Sequence, residues 1–151
     1  MTSSFVAVDA GEGETLQVLQ DRLRVLATGE NTGGQYEIFE LRGPRDSGPP
    51  SHSHPWDEAY FMLEGEVEVR VGDRTLTGTP GCFALAPAGT PHSYRIVSPT
   101  ARFLVFTAKS GAAAFFRSMD REIGFPPPSF EAVVGVAVRQ GLRLEGPPPA
   151  G

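Results

Sequence analysis

Cysteine is almost absent from this chain, Cys82 being the single one. One thiol excludes an internal disulfide and a cysteine-rich zinc site. Basic runs are absent too, and the net charge is −5, which sets nucleic acid aside as a partner. No apolar run reaches about 18 residues, so no membrane span is expected. The opening stretch "MTSSFVAVDAGEGE" has neither a positive n-region nor an apolar h-region. It is read as carrying no secretory signal, and a cytoplasmic location is expected. No internal repeat is visible, which argues against a duplicated two-domain architecture. Histidine is scarce, with three in 151 residues.

Glycine and proline, by contrast, are plentiful, at 18 and 14. They fall mostly between short apolar runs, the punctuation of many short strands and turns. "TLQVLQ" and "LRVLAT" read as strands, and "GENTGG" as a loop. "QYEIFELR" is a strand with apolar residues on both faces, so its alternation does not declare the core side. "EAYFMLEG" follows a long proline-rich connection. "EVEVRV" alternates most cleanly, with Val67, Val69 and Val71 expected inward. Gly72-Asp73 is a two-residue hairpin signal. "GCFALAPAGTPHSYRIV" gives a strand, a turn and a strand, and "ARFLVFTAK" the last strand. After Lys109 the character changes. Two short helices are expected over Gly111–Gly124 and Ser129–Gly141, the second with an N-cap serine, and "RLEGPPPAG" reads as a loose tail. The expectation is an all-β, antiparallel sandwich or barrel over residues 1–110. A helical appendage and tail, residues 111–151, should pack on the same domain.

Two of the three histidines stand as His52-Ser53-His54, and Glu58 opens the next strand. Residues two apart in an extended segment point to the same side, and Pro55 biases His54 toward extended backbone. Both imidazoles can then face one point. Tyr60 and Met62 should share the face of Glu58. His92, Tyr94 and Ile96 should share one face of the strand after the "PAGTPH" turn. If that strand lies beside Glu58, three imidazoles and one carboxylate converge. Such a set suits one divalent transition metal ion among Fe, Ni, Mn, Co, Cu and Zn, without choosing between them.

These residues carry a resemblance to the cupins. The family's first motif, G-x5-H-x-H-x3,4-E-x6-G, is met by His52, His54, Glu58 and Gly65. Its second, G-x5-P-x-G-x2-H-x3-N, is met by Gly81, Pro87, Gly89 and His92. Two positions depart: Asp46 stands where the first motif opens with Gly, and Ile96 where the second closes with Asn. The resemblance implies a jelly-roll barrel, the double-stranded β-helix. It also implies a metal held by His52, His54, Glu58 and His92, and a homodimer. A second warrant for the dimer is the apolar surface of Phe103 to Phe106 and of the C-terminal helices, which needs cover.

The chain looks most similar to small single-domain cupins resembling quercetin dioxygenase. That implies a dioxygenase acting on a small aromatic or enolic molecule, with Glu58 as both ligand and proton acceptor. The expected pocket is Tyr60, Met62, Tyr94 and Ile96, with Phe39 or Phe106. Two alternatives stand beside it: a non-redox, metal-dependent isomerase or cyclase, and a small-molecule binder without catalysis. Trp56 reads as a loop-packing aromatic and Cys82 as a small apolar residue.

Overall fold

Short alternating runs between turns resolve into strands wherever one face finds a core. The structure, a computed structural model, describes residues 2–145. Its strands are β1 (Thr15–Val18), β2 (Asp21–Ala27), β3 (Tyr36–Pro44), β4 (His52–Ser53), β5 (Glu58–Glu64) and β6 (Val67–Val71). They continue with β7 (Arg74–Gly78), β8 (Phe83–Ala86), β9 (His92–Ile96), β10 (Thr100–Ala108) and β11 (Arg143–Leu144). The helices are α1 (Gly29–Thr32), α2 (Ala112–Glu122) and α3 (Phe130–Arg139). One sheet runs β1-β2-β3-β10-β5-β8 and the other β11-β4-β9-β6-β7. Every pairing between these strands is antiparallel. The result is a sheet-dominated jelly roll with its core between the sheets.

The core side of β3 is settled by partners rather than by alternation. Glu37, Phe39 and Leu41 all point inward. A buried carboxylate is tolerable only when hydrogen-bonded, and Glu37 is. One oxygen accepts from Gly29 N at 2.8 Å, the other from Gly111 N at 3.2 Å and Ala113 N at 2.9 Å. The same contacts pin the start of α2, where the helix dipole favours an anion. Phe39 meets the edge of Phe116 from α2 at 5.0 Å. On β6, Val67 and Val69 are buried, but Val71 is only half-buried at the end of its strand.

Two expectations need correction. "GENTGG" holds the single-turn helix α1, whose cap has Asn31 Oδ1 accepting from Thr28 N at 3.1 Å. The supposed loose tail contains β11, whose Leu144 pairs with His52 and whose Arg143 pairs with Ser53. Of that tail, only "GPPPAG", residues 146–151, lies outside the described residues. Helix α3 starts at the expected cap, with Ser129 Oγ accepting from Ala132 N at 3.1 Å. Helix α2 lies on β1, where Gln17 N donates to Asp120 Oδ1 at 2.8 Å and Arg117 pairs with Glu14 at 2.8 Å. Among the described residues, no helix is long and apolar enough to cross a membrane.

Candidate metal centre

Three strands bring the four polar residues together. His52 on β4 pairs directly with His92 on β9, which in turn pairs with Val71. Glu58 opens β5 in the opposite sheet. Each residue offers one ligand atom, and the four atoms lie within 4.8 Å of one another. All four side chains are buried. The position that opens the first family motif also has a physical account. Asp46 sits at φ 68, left-handed backbone that favours glycine and that aspartate tolerates.

The hydrogen bonds fix which nitrogens face the centre. Each Nδ1 lies 2.9 Å from a backbone carbonyl: His52 from Pro50, His54 from Trp56 and His92 from Thr90. A carbonyl only accepts, so each Nδ1 carries the proton and each Nε2 turns a lone pair inward. This orientation is the one that outer hydrogen bonds give to metal-ligating imidazoles. Yet His54 Nε2 lies 3.1 Å and His92 Nε2 2.7 Å from Glu58 Oε2. Lone pairs facing a carboxylate oxygen at that range repel unless a cation lies between them. A proton can play that part, and so can a divalent ion. The donor set therefore fits a metal.

The titration behaviour follows the same logic. Burial pushes the His52 imidazole down to about 4, and His92 beside it acts in the same sense. Burial also opposes charge on His92, but the contact with Glu58 outweighs it and raises that pKa. Burial opposes charge on Glu58 too. The bonds from His54 and His92 overcome this and hold the carboxyl well below the usual carboxylate range. Tyr60 donates to Glu58 Oε2 at 3.0 Å. Burial and that neighbouring carboxylate hold its phenol protonated.

Beside the four residues is an apolar cavity of about 80 Å³. His52, Glu58, Tyr60 and Tyr94 line its polar side. Phe115, Phe116, Met119, Val133, Leu142 and Leu144 close it from the C-terminal segment. Of the expected pocket residues, Tyr60 and Tyr94 therefore reach the cavity. Met62, Ile96 and Phe39 are buried in the core behind its wall. Phe106 is a correction. On β10, Ala101, Phe103, Val105 and Thr107 point inward, and Phe106 shares the outer face with Leu104. The period of two puts Val105 in the cavity wall instead.

The sequence reading undervalued Trp56 and passed over Asp21. Trp56 is more than loop filler: its indole stacks on the His54 ring at 4.3 Å and 10°. Asp21 is buried beneath Tyr94. The signal for it was present, since Asp21, Leu23, Val25 and Ala27 keep a period of two along one inward face of β2.

Comparison with known proteins agrees with this geometry. A model of the cupin domain matches residues 40–107. Bacillus subtilis quercetin 2,3-dioxygenase is 33% identical over 108 residues, covering 71% of this chain and 32% of that enzyme. The chain thus spans about a third of that relative's length. An uncharacterized protein of Streptomyces coelicolor is 31% identical over 64% of this chain and 80% of its own length. Among solved structures, KdgF from Halomonas sp. superposes with a TM-score of 0.65 at 16% identity, over 73% of this chain and 99% of its own. The two packed sheets with a buried three-histidine, one-glutamate cluster define a jelly-roll protein with a candidate metal centre. The chain belongs to the cupin family.

Proposed function

We propose that this cupin is a metal-dependent dioxygenase acting on a small aromatic or enolic molecule. The observation that carries it is the placement of His52 and Glu58 in the wall of an otherwise apolar cavity. A molecule held there would present its oxygen to the four-ligand centre and its ring to Leu23, Leu41, Val105 and Phe116. His52, His54, Glu58 and His92 would hold one divalent ion among Fe, Ni, Mn, Co, Cu and Zn. The ion would supply Lewis acidity toward the substrate oxygen and, if redox-active, access to O₂. Glu58 would take the substrate's enolic or phenolic proton, with Tyr60 donating to the same carboxylate oxygen. Tyr60, held protonated, stays a neutral donor throughout. Size narrows the substrate to a single ring. An apolar cavity of about 150 Å³ takes benzene, so one of about 80 Å³ takes a ring only as the flexible Met119 and its neighbours turn aside.

The test is elemental analysis of protein purified without added metal or chelator, followed by O₂ uptake with one-ring hydroxypyranones and with flavonols. About one equivalent of a redox metal and O₂ consumption with the pyranones are expected. One equivalent of zinc with no O₂ uptake would replace this function with non-redox proton transfer or cyclisation. Absence of metal would leave a ligand-binding role.

The proposed partner beyond the small molecule is a second copy of this chain. The outer face of β10, β5 and β8 carries cross-strand neighbours Leu104, Phe61 and Phe83, and beside them Phe106, Ala59 and Leu85. Phe83 is 57% and Leu85 49% exposed, on a strand that ends its sheet. An open edge with an apolar face can meet its own copy about a two-fold axis. Sedimentation at micromolar concentration should give a dimer, and Phe83→Glu a monomer; a monomeric parent chain would refute the pairing.

A further inference from the structure

We infer that Tyr94, oriented by the buried Asp21, is a specificity residue that selects a substrate bearing a hydroxyl one ring-width from its metal-binding end. This rests on the cavity being the substrate site proposed above.

Tyr94 lies two residues from His92 on β9, and Tyr60 two residues from Glu58 on β5. At about 3.3 Å per residue, both tyrosines start roughly 7 Å along their strands from the ligand residues; Tyr60 reaches back to Glu58, whereas Tyr94 turns to Asp21. Their rings meet edge to face with centroids 6.1 Å apart. Both line the cavity. Each phenol has already committed its one proton. Tyr60 donates to Glu58 Oε2 and Tyr94 donates to Asp21 Oδ2. A phenol that donates outward keeps only acceptor capacity toward the cavity. The group that suits Tyr94 is therefore a donor, such as a hydroxyl.

Asp21 is buried, with the Tyr94 phenol donating to it. Its carboxylate is 3% exposed, and burying one without full hydrogen bonding is costly. Oδ1 makes no hydrogen bond of good geometry among the described residues, although the Ser47 hydroxyl stands close enough to favour its charge. Backbone must come close to make room for it: a Cβ added at Gly43 would overlap Asp21 Oδ1 and stand 2.8 Å from Ser47 Oγ. Among the described residues, no cationic side chain is paired with it. What Asp21 does is hold the Tyr94 proton away from the cavity. The arrangement excludes the alternative in which Tyr94 donates to a substrate carbonyl.

A matched pair of ligands tests this. Kojic acid and allomaltol are hydroxypyranones with the same chelating enolone; kojic acid alone has a hydroxyl on the opposite side of the ring. Calorimetry on the metal-loaded protein should show kojic acid binding about five- to tenfold tighter, the worth of one hydrogen bond. Tyr94→Phe should bring the ratio to about one while leaving allomaltol affinity unchanged, which shows the pocket intact. Asp21→Asn, whose amide can donate to Tyr94 and turn the phenol proton inward, should keep the preference for the hydroxyl, which also accepts, and should gain affinity for a pyranone carrying an acceptor-only methoxymethyl group at that position, which the parent protein disfavours. Equal affinities in the parent protein, or a ratio that survives Tyr94→Phe, would overturn the assignment of Tyr94 alone. Binding of neither pyranone would overturn the proposed function and this inference with it.

Discussion

The cavity has two walls of different origin. The barrel wall, from β4, β5 and β9, holds all four candidate ligands, and all four lie within the stretch matched by the cupin family, residues 40–107. The opposite wall comes from α2, α3 and β11, beyond that stretch. The first wall is polar around the ligands, whose imidazoles are fixed by backbone carbonyls, and apolar at Leu23, Leu41 and Val105 of the neighbouring strands. The second is apolar, made of side chains that pack without directional bonds. Chemistry is thus set by one segment, and shape by that segment and the C-terminal one together. Similarity over the first says little about what the second admits.

The largest expected effect lies on the barrel wall. His92→Ala removes a ligand and leaves the charge of Glu58 with fewer partners. Metal content should fall by about tenfold or more, read by elemental analysis. Glu58→Gln keeps the shape and an oxygen, and should weaken retention less. On the cap, Met119→Ala should leave metal content unchanged. It should cost about 2–5 kcal/mol of stability in chemical denaturation, because Met119 is 1% exposed. It should also admit larger ligands. Loss of metal in Met119→Ala would break the division between the walls.

Glu37 joins the walls, since its carboxylate accepts from Gly111 N and Ala113 N at the start of α2. Glu37→Gln removes the charge and one acceptor oxygen, for about 1–3 kcal/mol. Amide exchange should quicken over Ala112–Glu122 while the barrel strands keep their protection. Uniform acceleration would mean that the cap does not move separately.

Acidity should act on the barrel wall alone. A metal binds unprotonated imidazole, so protons compete with it. Glu58 raises the pKa of His92 above its ordinary value, so its proton competes from above the usual range near 6.5 downward. His52, held at about 4 by burial, adds a further competing proton only near that pH. Affinity should therefore fall by at least about tenfold per pH unit below the His92 pKa, and more steeply still below about 4. The curve should be the same in Met119→Ala; a shift would show that the cap sets the electrostatics as well as the shape.

What the sequence made legible follows this division. The spacing of His52, His54, Glu58 and His92 is local, and strand periodicity turns local spacing into a shared direction. The inner faces of β6 and β5 were legible for the same reason. The core side of β3 was not, because Glu37 becomes an inward residue only through backbone donors from Gly29 and from Gly111 and Ala113, 74 and 76 positions away. Phe106 was misplaced because an apolar residue was favoured over its phase, although Phe103 and Val105 already claimed the inner face. The pairing of β11 with His52 was hidden because two residues in a proline- and glycine-rich tail carry no period.

The smallest expected effect lies at the seam. Trp56 stacks on His54, and its ring lies 3.2 Å from where a Cβ at Gly111 would stand. A cavity of about 20 Å³ there is bordered by Trp56, His54, Ala112 and Leu142. The anchor of His54 is the carbonyl of Trp56, not its indole, so it survives any side chain at this position. The indole Nε1 is buried with no hydrogen-bond partner among the described residues. Trp56→Phe keeps a ring over the imidazole and removes that unsatisfied donor, whose cost is about 1–3 kcal/mol. Metal content should stay within about twofold, and stability should hold or rise. Trp56→Ala keeps the carbonyl anchor but frees the imidazole to tilt, so metal affinity should fall further than in Trp56→Phe. Equal affinity in the two variants would show that the carbonyl alone positions His54, and that the seam between the walls contributes packing and nothing to the centre.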